Sequence, residues 1–249
     1  INSTKIDTKL HELTKSINKF KTLEETLFKE FCLKVYNDYK DIIFNATQEL
    51  ALLDLYVNHA LLAIDYNYCK PRAIASECAF IDAKDLRHGL IELLDQDTEY
   101  VPNNVYINPN DKNKGILLYG FNGSGKSCYS KSIGIALIMA QMGMYTPCSS
   151  FTFSPYTKLF TRLNCDDNLF KGQSSFFVEM SELRSIMNYI DNKSIVLGDE
   201  ICKGTESVSG LSIVGCALCN LLEKNVSFVF ATHLHKLPEL SCLKNVEGL

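Results

Sequence analysis

The chain has 249 residues, 46% of them hydrophobic, which suffices for one large domain, or a domain with an appendage, around a substantial core. Its formal net charge of -4 excludes a protein that grips nucleic acid by bulk electrostatic attraction, so any DNA contact has to come from a local patch or a partner chain. No apolar run approaches bilayer-spanning length, the sequence reads as one without a signal peptide, and its ten scattered cysteines read as reduced intracellular thiols.

From Ile1 to Lys70 there is neither Gly nor Pro, a helical composition. Thr22-Leu23-Glu24-Glu25 reads as a capping box. After it Leu23, Leu27, Phe31, Val35, Tyr39, Ile42, Ala46, Leu50 and Leu53 recur at three- and four-residue steps, predicting one helix to about Tyr66 or two with a break near Asn45. Residues 1–50 carry eight Lys and eight acidic residues, which cancel, so this region reads as a solvated amphipathic arm and not as a basic DNA-binding arm. Cys69-Lys70-Pro71-Arg72 ends it, dividing the chain into a helical segment, 1–70, and a second domain, 71–249.

In the second domain Ala79–Ala83, Gly89–Leu94 and Tyr100–Ile107 read as short strands. Ile116–Tyr119 is an apolar strand followed by a glycine-rich turn and a helix from Ser127 to about Gln141. Phe151–Phe153 is a further candidate strand, residues 164–172 read as a polar loop, and a helix starts at a cap on Ser174. Ser194–Leu197 continues into Gly198-Asp199-Glu200, Ser209–Glu223 is helical, and Val226–Ala231 is a last strand ending at Thr232-His233. Strands alternating with helices predict an α/β domain with a mixed, mainly parallel sheet flanked by helices, its polar strand ends gathered on the ligand-binding edge.

The turn after the Ile116 strand is Gly120-Phe121-Asn122-Gly123-Ser124-Gly125-Lys126-Ser127, a complete phosphate-loop pattern that continues into the helix through Cys128. Gly120 and Gly125 let successive N–H groups turn toward an anion, and the helix that follows points its positive end the same way. Lys126 is a mobile cation for the terminal phosphates of ATP, and the Ser127 hydroxyl is a hard oxygen ligand for Mg2+. Asp199, at a strand end, is a second Mg2+ ligand, and Glu200 a general base for the attacking water. His233, on the same edge, is placed to sense the γ-phosphate. Cys216 and Cys219 lie on one helical face with no second pair to make a zinc site, and a His233–His235 metal pair is set aside because oxygen ligands already serve Mg2+.

Further motifs surround these. Ala140-Gln141-Met142-Gly143-Met144-Tyr145-Thr146-Pro147-Cys148, Leu159-Phe160-Thr161-Arg162, and Asp166-Asp167 through Gly172-Gln173-Ser174-Ser175-Phe176-Phe177-Val178-Glu179-Met180 occur in that order, followed by Asp199-Glu200 with Gly204-Thr205 and by Ala231-Thr232-His233. Over residues 70 to 240 the set resembles the ATPase domain of the MutS family of DNA mismatch-repair proteins, a branch of the ABC-type ATPases. The helices before it resemble, in pattern, the family's lever arm. The variants Asp199-Glu200-Ile201-Cys202-Lys203-Gly204-Thr205-Glu206 and Thr232-His233-Leu234-His235 look most like the branch found in plant organelles, octocoral mitochondria and giant viruses.

The resemblance implies an ATPase that uses ATP and Mg2+ and couples nucleotide state to DNA clamping. It implies that Tyr100 and Val101 pack the adenine, that Ser174 acts in trans on a nucleotide held by a partner subunit, and that the active protein is a homodimer or heterodimer away from any membrane. Phe121, Gly123-Ser124 and Gly198 depart from the usual pattern, and Gly198 is expected to weaken strand packing. The Ile at position 1 and the end at Leu249 read as marks of a fragment. Two alternatives stay open: another ABC-type DNA-maintenance ATPase, and an ATP-binding scaffold subunit without turnover.

Overall fold

The computed structural model describes residues 3–94, 100–111, 113–121, 123–162, 175–202, 207–234, 236–240, 243 and 246–248. These form two compact units, Ile1–Asn58 and His59–Leu249. The first is helical: α1 runs Ser3–Asp65 and carries its last residues into the second unit. Neither a start at Thr22 nor a break near Asn45 is found. The Thr22 hydroxyl donates to Asn18 O at 3.0 Å instead of capping, and Thr14, Ser16, Thr26 and Thr47 donate in the same way to the carbonyl four residues back. A hydroxyl satisfied inside the helix carries no start signal, and with no Gly or Pro nothing interrupts the backbone ladder. Every described side chain from Ile6 to Asn58 is exposed. None of the described helices is long and apolar enough to cross a membrane.

The second unit contains β1 (Arg72–Ala73), β2 (Ile81–Leu86), α2 (Ile91–Leu94), β3 (Asn103–Ile107), β4 (Gly115–Leu118), α3 (Lys126–Gln141), β5 (Ser150–Phe153), β6 (Lys158–Arg162), α4 (Ser175–Tyr189), β7 (Ser194–Asp199), α5 (Ser207–Glu223), β8 (Ser227–Ala231) and β9 (Glu247–Gly248). The expected single sheet is two. One has the order β1-β5-β2-β3, with β2 antiparallel to both neighbours, and the other has the order β6-β7-β8-β4-β9, with every pair parallel.

Strands β4, β7 and β8 of the parallel sheet are buried on both faces, as crossover helices require. Ile116, Leu118, Ile195, Leu197 and Val229 face a core shared with Ile133, Ala136 and Leu137 of α3 and with Ile81, Val105 and Phe151 of the other sheet. Leu117, Val196, Phe228 and Phe230 face the opposite core, with Ile186 of α4 and Val214, Leu218 and Leu221 of α5. The strict alternation along β4, β7 and β8 sets the register, because a one-residue slip would exchange the two cores.

Gly89–Leu94, read as a strand, is a turn leading into α2. His88 accounts for the change: its Nδ1 accepts the N–H of Ile91 at 3.3 Å, and Glu92 N–H donates to His88 O at 3.1 Å. Glu92 is then fixed by an ion pair with Arg87 at 3.0 Å and by the hydroxyl of Tyr68 at 3.1 Å.

Gly198 does not weaken the sheet; it makes room. A Cβ at this position would lie 2.9 Å from Ile201 Cδ1 and 3.0 Å from Phe230 Cε1. Phe230, one strand away in register with Gly198 and 1% exposed, fills the volume that a larger residue on β7 would take. Gly198→Val is therefore expected to cost about 1–3 kcal/mol by overpacking. Urea unfolding measures the loss, and Phe230→Leu in the same chain recovers part of it; a Gly198→Val chain as stable as the parent excludes the fit described.

Candidate functional site

Parallel pairing aligns the chemistry. Leu118 of β4, Ala231 of β8 and Asp199 of β7 stand in one row across three strands. The phosphate loop, Glu200 and Thr232-His233 therefore leave the sheet side by side at its carboxyl edge. The row is tied beyond the strands by Thr232 N–H to Leu118 O at 3.0 Å and by Glu200 N–H to Ala231 O at 2.9 Å.

In the loop, Gly120, Gly123 and Gly125 have φ of 152, 82 and 92°, conformations that side chains rarely adopt. Gly125 is the N-cap of α3, whose first turn holds no acidic residue to neutralise its positive end. The Lys126 ammonium donates to Gly120 O at 2.7 Å and Phe121 O at 2.9 Å. Ser127 Oγ donates to Asp199 Oδ2 at 2.5 Å. Asp199 is only 7% exposed, and its Oδ1 is buried without a hydrogen-bond partner among the described residues. A buried carboxylate oxygen left over beside a hydroxyl is a donor set that fits a hard divalent cation such as Mg2+.

Glu200 and Cys202 both have positive φ, 49 and 65°, unusual for residues with a Cβ and found where a site imposes backbone strain. The turn directs the Glu200 carboxylate to His233, with Oε1 2.6 Å from Nε2. His233 is steadied by the Thr232 hydroxyl, which accepts the N–H of Leu234 at 3.0 Å. The far side of the turn is held from α4, where Glu179 Oε1 accepts the N–H of Cys202 at 3.0 Å. One helical turn on, Glu182 pairs with Arg162 of β6 at 3.0 Å. Glu179 belongs to a motif quoted above, but its role as the holder of this turn had no signal in the sequence, because its partner is a backbone N–H 23 positions away.

Beside the loop a cavity of about 470 Å3 is lined by Tyr100, Val101, Gly120, Phe121, Lys126 and Cys128, among others. Tyr100 enters it with its hydroxyl 3.6 Å from Cys128 Sγ, and burial raises the pKa of that hydroxyl above its ordinary value. The structure thus brings Tyr100 and Val101 to the loop, and Ser127, Asp199, Glu200 and His233 to one sheet edge; none of these four is among the residues that line the cavity. Asn122, Ser174, Gly204, Thr205 and His235 lie outside the described residues. Among described cysteines seven carry free thiols, including Cys216, whereas Cys219 is disulfide-bonded, which corrects the expectation of thiols throughout.

A glycine-rich loop between a parallel strand and a helix, facing an acidic residue at the end of a neighbouring strand, defines the phosphate-loop class of α/β domains. The family model of MutS domain V matches residues 116–248. The chain belongs to the MutS family. It is 36% identical, over 91% of its length, to a putative DNA mismatch repair protein mutS homolog of Acanthamoeba polyphaga mimivirus. It is 35% identical over 95% of its length to a mitochondrial DNA mismatch repair protein mutS homolog of Sarcophyton glaucum, and 37% identical over 90% to DNA mismatch repair protein MutS of Chlamydia trachomatis. Giant-virus and mitochondrial members, the branch to which the motif variants point, are thus among its relatives. The chain spans about a quarter of the length of these proteins, 24%, 24% and 27% respectively.

Proposed function

We propose that this chain is the ATP-binding and ATP-hydrolysing part of a MutS-like DNA-repair protein, an ABC-type ATPase domain over residues 71–249 preceded by a lever over residues 1–70. The observation that carries this reading is the part-buried Ser127–Asp199 pair set in one strand row with the phosphate loop and the Glu200–His233 pair.

Lys126 exchanges its two neutral carbonyl acceptors for charged phosphate oxygens, the stronger partners. The loop N–H groups and the positive end of α3 complete the anion cradle. Ser127 and Asp199 hold Mg2+, which when bound neutralises phosphate charge and orients the terminal group. Glu200 orients water and takes its proton on a carboxylate oxygen, while His233 holds that carboxylate and senses the γ-phosphate. Tyr100 and Val101 give the adenine an apolar and aromatic wall. Ser174 serves a nucleotide on a partner subunit, so turnover needs a homodimer or heterodimer, and the lever passes nucleotide state to the DNA clamp of the whole protein.

Steady-state ATP hydrolysis as a function of protein concentration, with and without duplex DNA, tests the reading. Turnover per chain is expected to rise with concentration. Measurable ATP·Mg2+ binding with flat, near-zero turnover points to the scaffold alternative, and absence of ATP binding overturns the proposal.

A further inference from the structure

Two cysteines outside the nucleotide site lie against each other. Cys69 follows the end of α1, and Cys148 lies in the segment between α3 and β5, yet their sulfurs are 3.3 Å apart. The approach is built by the backbone. Cys69 and Thr146 exchange both of their N–H···O bonds, each 2.9 Å, as an antiparallel bridge, and Cys148 N–H donates to Thr146 O at 2.8 Å, folding the chain back onto Cys69. The Thr146 hydroxyl lies 3.4 Å from Cys69 Sγ and 3.3 Å from Cys148 Sγ. Cys148 is 1% exposed, whereas Cys69 is half-buried and open to a small oxidant.

The two thiols are chemically unequal. The hydrogen bond shared with Cys148 is the main cause that lowers Cys69 below the ordinary thiol range, opposed by burial and assisted by Thr146. The same bond, with burial, pushes Cys148 far above the ordinary thiol range. The contact between the sulfurs favours a thiolate on the more open Cys69, and burial favours the protonated thiol on Cys148, an arrangement suited to attack by one sulfur and resolution by the other.

We propose that Cys69 and Cys148 form a redox-modification site at which a peroxide drives closure of a disulfide between the segment after α1 and the segment after α3. In the first step Cys69 Sγ attacks a peroxide oxygen: an S–O bond forms, the O–O bond breaks, and the departing hydroxide takes a proton to become water. Cys69 is then a sulfenic acid. In the second step Cys148 Sγ displaces that oxygen: the S–S bond forms, the S–O bond breaks, and the Cys148 proton leaves with the hydroxide as a second water. The two sulfurs lose two electrons in total, and the peroxide gains them. Closure from 3.3 Å to the ~2.05 Å of a disulfide is a small displacement at a half-buried position. The other described thiols lack this pairing: Cys32 and Cys216 are exposed, with no second described thiol in contact, Cys78 is buried, Cys128 lies against the Tyr100 hydroxyl, and Cys202 is buried, with its pKa raised to about 11.

The test treats the reduced chain with hydrogen peroxide at neutral pH, followed by non-reducing proteolysis and mass spectrometry. A peptide linked through Cys69 and Cys148 is expected, with Cys148→Ser trapping a sulfenic acid at Cys69 that dimedone labels and Cys69→Ser giving neither product. The link closes a loop of 79 positions, so the oxidised chain should melt about 5 °C or more above the reduced one, an increase that dithiothreitol reverses. Both thiols still open to alkylation after peroxide treatment, or dimedone labelling confined to Cys32 and Cys216, overturns the proposal. These readouts are independent of nucleotide binding.

Discussion

Lys126→Ala weakens ATP·Mg2+ binding by about 100-fold, the loss expected when a charge-assisted contact to the terminal phosphates is removed. The side chain already sits over the loop, its ammonium bound to Gly120 O and Phe121 O, so little reorganisation precedes its capture of a phosphate. Lys126→Arg does not rescue, because a bulkier, planar guanidinium cannot occupy the point between the two carbonyls that a compact ammonium fills. Calorimetric titration with a slowly hydrolysed ATP analogue gives the comparison. Because Lys126 is half-buried at the helix start and outside both cores, its removal leaves the melting temperature nearly unchanged. An affinity equal to that of the parent chain removes Lys126 from the site.

Glu200→Gln retains nucleotide binding and lowers turnover by about 10²–10⁴-fold, the range of a lost general base. Gln keeps the length of the side chain and its oxygen acceptor toward His233, and it is no more strained than Glu at a φ of 49°. The backbone bond from residue 200 to Ala231 O is untouched. What disappears is the ability to accept a proton from water. The expected signature is therefore a fall in kcat with an unchanged Kd for ATP, measured at the chain concentration that gives the parent its highest turnover. Undiminished hydrolysis refutes the base assignment. If His233 acts only by holding the carboxylate, adding His233→Ala to Glu200→Gln costs little more, since the two side chains function as one unit.

The phosphate loop was legible because its chemistry is local. Gly120, Gly125, Lys126 and Ser127 are required by backbone conformation and ligand within eight consecutive residues, and no distant packing has to be known. β7 and β8 were legible for a related reason: strands buried on both faces are short, continuous apolar runs, and each ends in the polar residues of the site. β6 was quoted as a motif and not read as a strand, because Lys158 and Arg162 at its ends hide the pattern, while Gly89–Leu94 was misread because His88, Tyr68 and Arg87 together fix a helical turn there.

The sequence by itself determined the helical character of the first segment, the alternation of strands and helices, the phosphate loop, and the acidic and histidine residues that close two strands. Only the tertiary structure decided that the strands divide into two sheets, that Gly198 is the space Phe230 needs, that Glu179 holds the turn bearing Glu200, and that Cys69 meets Cys148. The division follows from the range of the interactions. Backbone propensity and side-chain periodicity act between residues a few positions apart, whereas volume filling and pairing join residues 23, 32 and 79 positions apart, whose contact exists only once the sheets have formed.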